Sequence, residues 1–167
     1  MIDISTVGAK IDITFNDNKR KIITQFSDEG TPFECPDVDV STNAKNLNGQ
    51  MISSRTPSIY PVSITVVTGS EEDMFLQRRR ADAAIQPGNV KSIAELAISS
   101  LIVSVPAINE SGEGSSAINY TFKKGRLKGG PMGPSTSAEG RMSARTYTFE
   151  FEKYEPPTYG GVDVTRT

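Results

Sequence analysis

The 167-residue chain has no histidine, no tryptophan and a single cysteine, Cys35. Without histidine there is no Ser-His-Asp or Cys-His arrangement, and the commonest general base and metal ligand is missing too. A lone cysteine forms no intramolecular disulfide. Cys35 sits beside Glu34 and Asp37, acids that raise a thiol's pKa rather than activate it. The missing tryptophan removes the usual aromatic platform of a sugar-handling groove, so a glycosidase-type acid pair is not expected despite plentiful carboxylates. No run of about 18 apolar residues occurs, and no charged-then-apolar leader opens the chain. Neither a membrane span nor a secretion signal is expected.

Charge of one sign is also scarce in the sum. Eighteen Lys and Arg stand against 20 Asp and Glu, a net of −2, which argues against a generic binder of nucleic-acid phosphates. The apolar share, 36%, is low for a globular chain, so one domain with a thin core is expected. The charges are unevenly placed. Residues 27–40 carry Asp28, Glu29, Glu34, Asp37 and Asp39 with no base, whereas residues 119–145 carry Lys123, Lys124, Arg126, Lys128, Arg141 and Arg145 against Glu139 alone. They form either two solvated surfaces or two complementary patches that meet head-to-tail between copies. On the second reading Lys123, Lys124 and Arg126 face Asp28, Glu29 and Glu34 across subunits.

Motifs that suggest chemistry fail in context. Gly112 to Ala117 fits a loose G-x-G-x-x-A string, but it joins two expected strands and opens no helix. Gly129 to Gly133 resembles a phosphate loop only in composition. Asp37 and Asp39, one residue apart on an expected strand, fit a solvated face better than a calcium site. No catalytic, cofactor or metal site is expected.

Residues 61–88 organise the chain. Val62, Ile64 and Val66 alternate with Ser63 and Thr65 as in a half-buried strand. Ser70 then caps a helix over about residues 70–85, its hydroxyl accepting from the Asp73 N–H while the Asp73 carboxylate reaches back. Glu71, Glu72 and Asp73 lie at the positive end of the helix dipole, with Arg78, Arg79 and Arg80 in its second half. Met74, Ala81 and Ile85 share the expected buried face, and Pro87-Gly88 is the expected stop. The helix should cover an open end or face of a sheet assembly.

Elsewhere the patterns are those of strands and turns. Residues 10–26 read as a hairpin and residues 37–42 as a strand with Val38 and Val40 on one face. Residues 43–49 read as an Asn-rich connection, with 50–55 as a return strand. A short helical turn within 89–95 precedes an apolar strand from Leu96 to Val105 that Pro106 ends. Residues 109–116 read as a hairpin tip; Ile118, Tyr120 and Phe122 alternate after it. Residues 129–140 are Pro/Gly-rich. Tyr147, Phe149 and Phe151 point inward, with Glu150 and Glu152 outward. The expectation is a mainly β fold, an antiparallel sandwich or barrel of about seven strands with one helix. Residues 1–153 form its single domain and 154–167 an extended tail. So many two-faced strands leave edges open to another chain.

The opening Ile2 to Gly8, Leu47-Asn48-Gly49 before a strand, Val66 to Arg79 and the closing Gly140-Arg141 with Arg145 to Phe151 resemble the tail tube proteins of contractile-tailed bacteriophages. The resemblance implies a structural virion protein and no catalysis. Hexameric rings would stack into a hollow cylinder inside a contractile sheath, assembled in the host cytoplasm, with sheath, baseplate and tape-measure proteins as partners. Double-stranded DNA would pass down the bore without specific binding, past an acidic or neutral lining. Asp37, Asp39 and Ser41 are the first candidates for that lining, Glu150 and Glu152 the second. Segments 43–49 and 129–140 would order between rings. Other readings are a tube initiator, terminator or secretion-system tube component, or a monomeric β-sandwich binding module or hydrolase.

Overall fold

The computed structural model describes residues 2–4, 9–24, 26, 33–56, 58–84, 88, 93–109, 115–133, 144–159 and 162–163. Its strands are β1 (Ile2–Ile4), β2 (Lys10–Phe15), β3 (Arg20–Ile23), β4 (Phe33–Glu34), β5 (Ser41–Lys45), β6 (Met51–Arg55), β7 (Tyr60–Val66), β8 (Ile98–Asn109), β9 (Ser115–Gly129), β10 (Arg145–Tyr159) and β11 (Val162–Asp163). Helix α1 spans Glu71–Ala83, and a single turn, α2, spans Ile93–Leu96. The main sheet is antiparallel in the order β3-β2-β8-β9-β10-β7-β4, with β1 added to β8 and β11 to β10. A bridge between Phe26 and Val66 brings the two ends of this sheet together, curling it into an almost closed barrel.

The expected alternations produce the core. Ile11, Ile13 and Phe15 of β2, Val62, Ile64 and Val66 of β7, Leu101 and Val103 of β8, and Tyr147, Phe149 and Phe151 of β10 are all buried inside the curl. Three strand ends differ from expectation. β8 continues through Pro106 to Asn109. Its edge partner changes there, from β2 pairing as far as Ser104 to β1 starting at Ala107. The missing proline N–H thus falls at a break between two ladders, where it costs little. β10 runs past Lys153 to Tyr159, still paired to β9. Residues 37–40 are irregular, and the strand begins at Ser41.

Helix α1 starts as its sequence dictates: Ser70 accepts from the Asp73 N–H at 3.2 Å. The Asp73 carboxylate reaches back one residue beyond the cap, accepting from the Gly69 N–H at 2.9 Å. The buried face, however, is polar. Met74 and Ala81 point to solvent, while Asp73, Leu76, Arg79 and Asp82 are buried. Ile85 and Pro87 lie outside the described residues.

The physical reason is the seat beneath the helix, which offers charged and hydroxyl partners. Asp73 Oδ1 accepts from the Tyr147 hydroxyl at 2.8 Å, and Arg145 Nε lies 3.5 Å from Oδ2. The Arg79 guanidinium grips Asp17 in the β2–β3 turn at 3.0 and 3.2 Å, and stacks 4.1 Å from the centre of the Phe15 ring. Pairing of this kind offsets the cost of burying polar and charged groups; the Arg79 contact lowers the Asp17 pKa.

Burial, with the Asp73 carboxylate adding to it, pushes the Tyr147 pKa well above the usual 10.0. The folded state keeps this proton after the unfolded chain has released it. Its contribution is therefore complete below about pH 10 and drains away as pH rises toward the folded value. Tyr147→Phe should cost about 2 kcal/mol near neutrality by leaving a buried carboxylate oxygen without its donor. The urea midpoint of the variant should also fall less steeply than that of the parent above pH ~10. Equal slopes and equal midpoints would contradict the assignment.

Candidate functional site

On β9, Lys124 adopts φ 56°, and the next residue, Gly125, lies against Phe151. A Cβ on Gly125 would collide with the Phe151 ring and come within 2.6 Å of the Glu150 carbonyl. Here β9 pairs Lys123 with Lys153 and Gly125 with Phe151, and Lys124 takes the left-handed step between them. The kink crowds Lys123, Lys124 and Arg126 onto one exposed stretch. They line a cleft of about 680 Å³ together with Glu150, Glu152 and the exposed Ile59. Arg126 also lines a second cleft of about 390 Å³ with Arg80 and Lys128, beside the end of α1.

The patch is less basic than its own segment suggests, because β10 lies alongside. Lys123 pairs with Glu155 at 2.7 Å and Lys128 with Glu150 at 3.2 Å. No ion pair among the described residues engages Lys124 or Arg126. Glu150 and Glu152 thus stand among cations rather than on a uniformly acidic face.

Of the acidic segment, Asp28 and Glu29 lie outside the described residues. Glu34 is exposed in β4, and Asp37 and Asp39 are exposed on the irregular run that follows, ahead of Ser41 at the start of β5. This run borders an apolar cleft of about 430 Å³ lined by Phe33, Tyr60, Tyr120, Phe122 and Tyr154, with Cys35 and Asp37 on its near side. The rings pack on each other, Phe122 to Tyr154 at 5.1 Å and Tyr60 to Tyr154 at 6.1 Å between centres. Desolvation here, with Glu34 beside it, pushes the Cys35 thiol up to about 11. That is the direction its acidic neighbours predict, although burial contributes more than charge.

Beyond the run, β5 and β6 form a separate two-stranded sheet, Ser41 opposite Arg55 and Lys45 opposite Met51. Nearly every residue in it is exposed, including Met51 at 69% and Ile52 at 54%. Residues 43–45 of the expected connection 43–49 are therefore strand, and the turn is confined to Asn46–Gln50. Asn46 holds that turn, its side-chain oxygen accepting from the N–H groups of Asn48 and Gln50 at 3.0 and 2.9 Å. Gly49 supplies the positive φ of 78° that closes it.

Two measurements check this geometry. Gly125→Ala should cost roughly 1–3 kcal/mol through overpacking against Phe151, read as a lower urea midpoint with an unchanged slope. Cys35 should react with iodoacetamide at pH 8 roughly a hundredfold more slowly in the folded chain than in urea, since its thiolate fraction is suppressed.

Among the described residues no group of three or more His, Cys, Asp or Glu is placed to hold a metal ion. No curated protein matches the chain. The fold itself has solved relatives. The chain is similar to the anti-feeding prophage cap, the AFP tube terminating cap, at 14% identity and a TM-score of 0.52, over 89% of this chain and 86% of that one. It is similar at 12% identity and a TM-score of 0.51 to a chain of the sheath-tube complex of an extracellular contractile injection system, PVC, in its extended state, over 90% of this chain and 86% of that one. At such identities the likeness concerns the fold. A family model described as tail fiber protein gp32 matches residues 2–155, a span that takes in the barrel, the helix and the exposed hairpin alike. The chain accordingly belongs to the tail fiber protein gp32 family.

Proposed function

We propose that the chain is the repeating subunit of a tail tube, closing into hexameric rings that stack into a hollow cylinder inside a contractile sheath. The carrying observation is the β5–β6 hairpin, an ordered sheet of two strands that its own chain leaves almost wholly exposed. An isolated two-stranded sheet is marginal in water, and its outer edges are ready to pair. The fold likeness to a chain of a sheath-tube complex supports the same reading. Sheath, baseplate and tape-measure proteins are the partners this role requires, in a virion assembled in the host cytoplasm. The role itself is structural and involves no catalysis.

In this tube, residues 1–153 act as the assembling domain and 154–167 as an extension, with β10 crossing that boundary. Asp37 and Asp39, exposed on the run into the hairpin, and the half-buried Ser41 at the start of β5 supply a bore that repels phosphate and lets DNA slide. Glu150 and Glu152 are the weaker candidates, given their cationic surroundings. Lys124 and Arg126 are the cations available for a neighbouring copy; Lys123 is partly satisfied by Glu155. A ring that terminates a tube is the second reading, favoured by the likeness to the tube terminating cap.

Negative-stain microscopy of the purified chain separates these outcomes. A tube subunit gives cylinders of many rings, a terminator gives single or paired rings, and uniform small particles contradict both. Lys124→Glu with Arg126→Glu should raise the concentration needed for assembly at least tenfold without lowering the melting temperature. Assembly at the parent's concentration would remove these two cations from the interface. Asp39→Lys should leave cylinders intact and reduce DNA delivery by the assembled particle; unchanged delivery would remove Asp39 from the lining.

A further inference from the structure

Among the described residues the aromatic cleft and the exposed hairpin are two surfaces complementary in chemistry. The cleft offers Phe33, Tyr60, Tyr120, Phe122 and Tyr154 as walls, with Tyr154 40% exposed although it is an aromatic packed on aromatics. Its near side carries acids and no base, Glu34 in β4 and Asp37 in the lining itself. The hairpin carries the reverse pattern. Its two strands hold Lys45 and Arg55 and no acid, and they expose Met51 and Ile52.

We propose that the hairpin of one copy seats in the aromatic cleft of the next, Met51 against the rings and Lys45 and Arg55, which share its face of the hairpin, toward Glu34. This rests on the ring-forming reading above and names the contact by which one copy holds another. The same chain's hairpin is a poor occupant. It is tethered at the rim of its own cleft, where the Thr56 N–H donates to the Val40 carbonyl at 3.2 Å and the Ser58 hydroxyl to the Asp39 carbonyl at 2.6 Å. From those anchors it already stands exposed to solvent. A hairpin offered on one side and a cleft on another make a head-to-tail contact, the kind that closes rings when the rotation between copies allows. The turn is organised locally by Asn46, so little chain entropy is lost when the hairpin docks.

The test uses two versions of the full-length chain. One carries a benzophenone amino acid in place of Met51 and has natural isotopes; the other is the parent chain labelled with nitrogen-15. They are mixed under assembling conditions, irradiated, digested and read by mass spectrometry. The expected product joins a light peptide containing position 51 to a heavy peptide containing residues 33–40, 118–122 or Tyr154. Products that join light only to light at the cleft would place the hairpin in its own chain and overturn the proposal. Heavy partners elsewhere, such as the outer side of α1, would overturn it while leaving the tube reading standing. A mixture that stays monomeric by light scattering would overturn both. A second variant, Met51→Asp, should abolish assembly and leave the melting temperature of the barrel unchanged; parent-like assembly by this variant would also overturn the proposal.

Discussion

The backbone of a β-hairpin satisfies half of its hydrogen-bonding groups internally and points the other half outward along its two edges. In this protein that constraint falls most heavily on one hairpin. The main sheet closes nearly on itself through the Phe26–Val66 bridge, so it is less open than its many two-faced strands suggest. Among the described residues β1, β4 and β11 each keep one free edge, whereas β5 and β6 pair only with each other and join no larger sheet. The barrel nearly closes within one copy while the hairpin stands off it, and on the proposed reading that arm is the part a second copy covers.

The barrel's own closure is unusual. An end of a barrel is normally stoppered by an apolar helix face, and α1 contributes only Leu76 and part of Phe75 to one. It is seated through Asp73 on Tyr147, and through Arg79 on Asp17 and the Phe15 ring. Directional polar contacts fix the rotation of a helix more tightly than apolar packing, because a small turn breaks several of them together. One consequence is that the outward face, with Met74 and Arg78, is kept in a constant position while contributing nothing to the core. Another is that β9 is left uncovered along the kink at Lys124, where the cations collect.

What the sequence makes legible follows from what its patterns encode. Period-2 alternation in β2, β7 and the first half of β10 names the inward residues correctly, because one face of each strand is buried and the other is wet. The Ser70 cap is equally local and equally readable. The buried face of α1 is not, since apolar periodicity points to Met74 and Ala81 and says nothing of a hydroxyl and a guanidinium waiting on distant strands. The hairpin is legible only in part: 50–55 is the expected return strand, but the first strand begins at Ser41 rather than Asp37 and runs on into the expected connection. Residues 41–45 and 51–55 bury no face, so they carry no alternation, and only the Asn48-Gly49 turn pair hints at paired strands. The charge patches are half readable: segment composition finds Lys123 and Lys128 but cannot see Glu155 and Glu150 brought across from β10. The acidic run keeps its character in the fold because no base comes to it among the described residues.

Amide hydrogen exchange across residues 41–55, followed at rising protein concentration, tests the central claim most directly. In the dilute monomer the outward-facing amides of both strands should exchange within seconds, while those of the central barrel strands stay protected. As copies assemble, the hairpin amides should become protected together and the barrel pattern should not change. A hairpin already protected in the monomer, or one that stays unprotected in the assembled particle, would contradict the account.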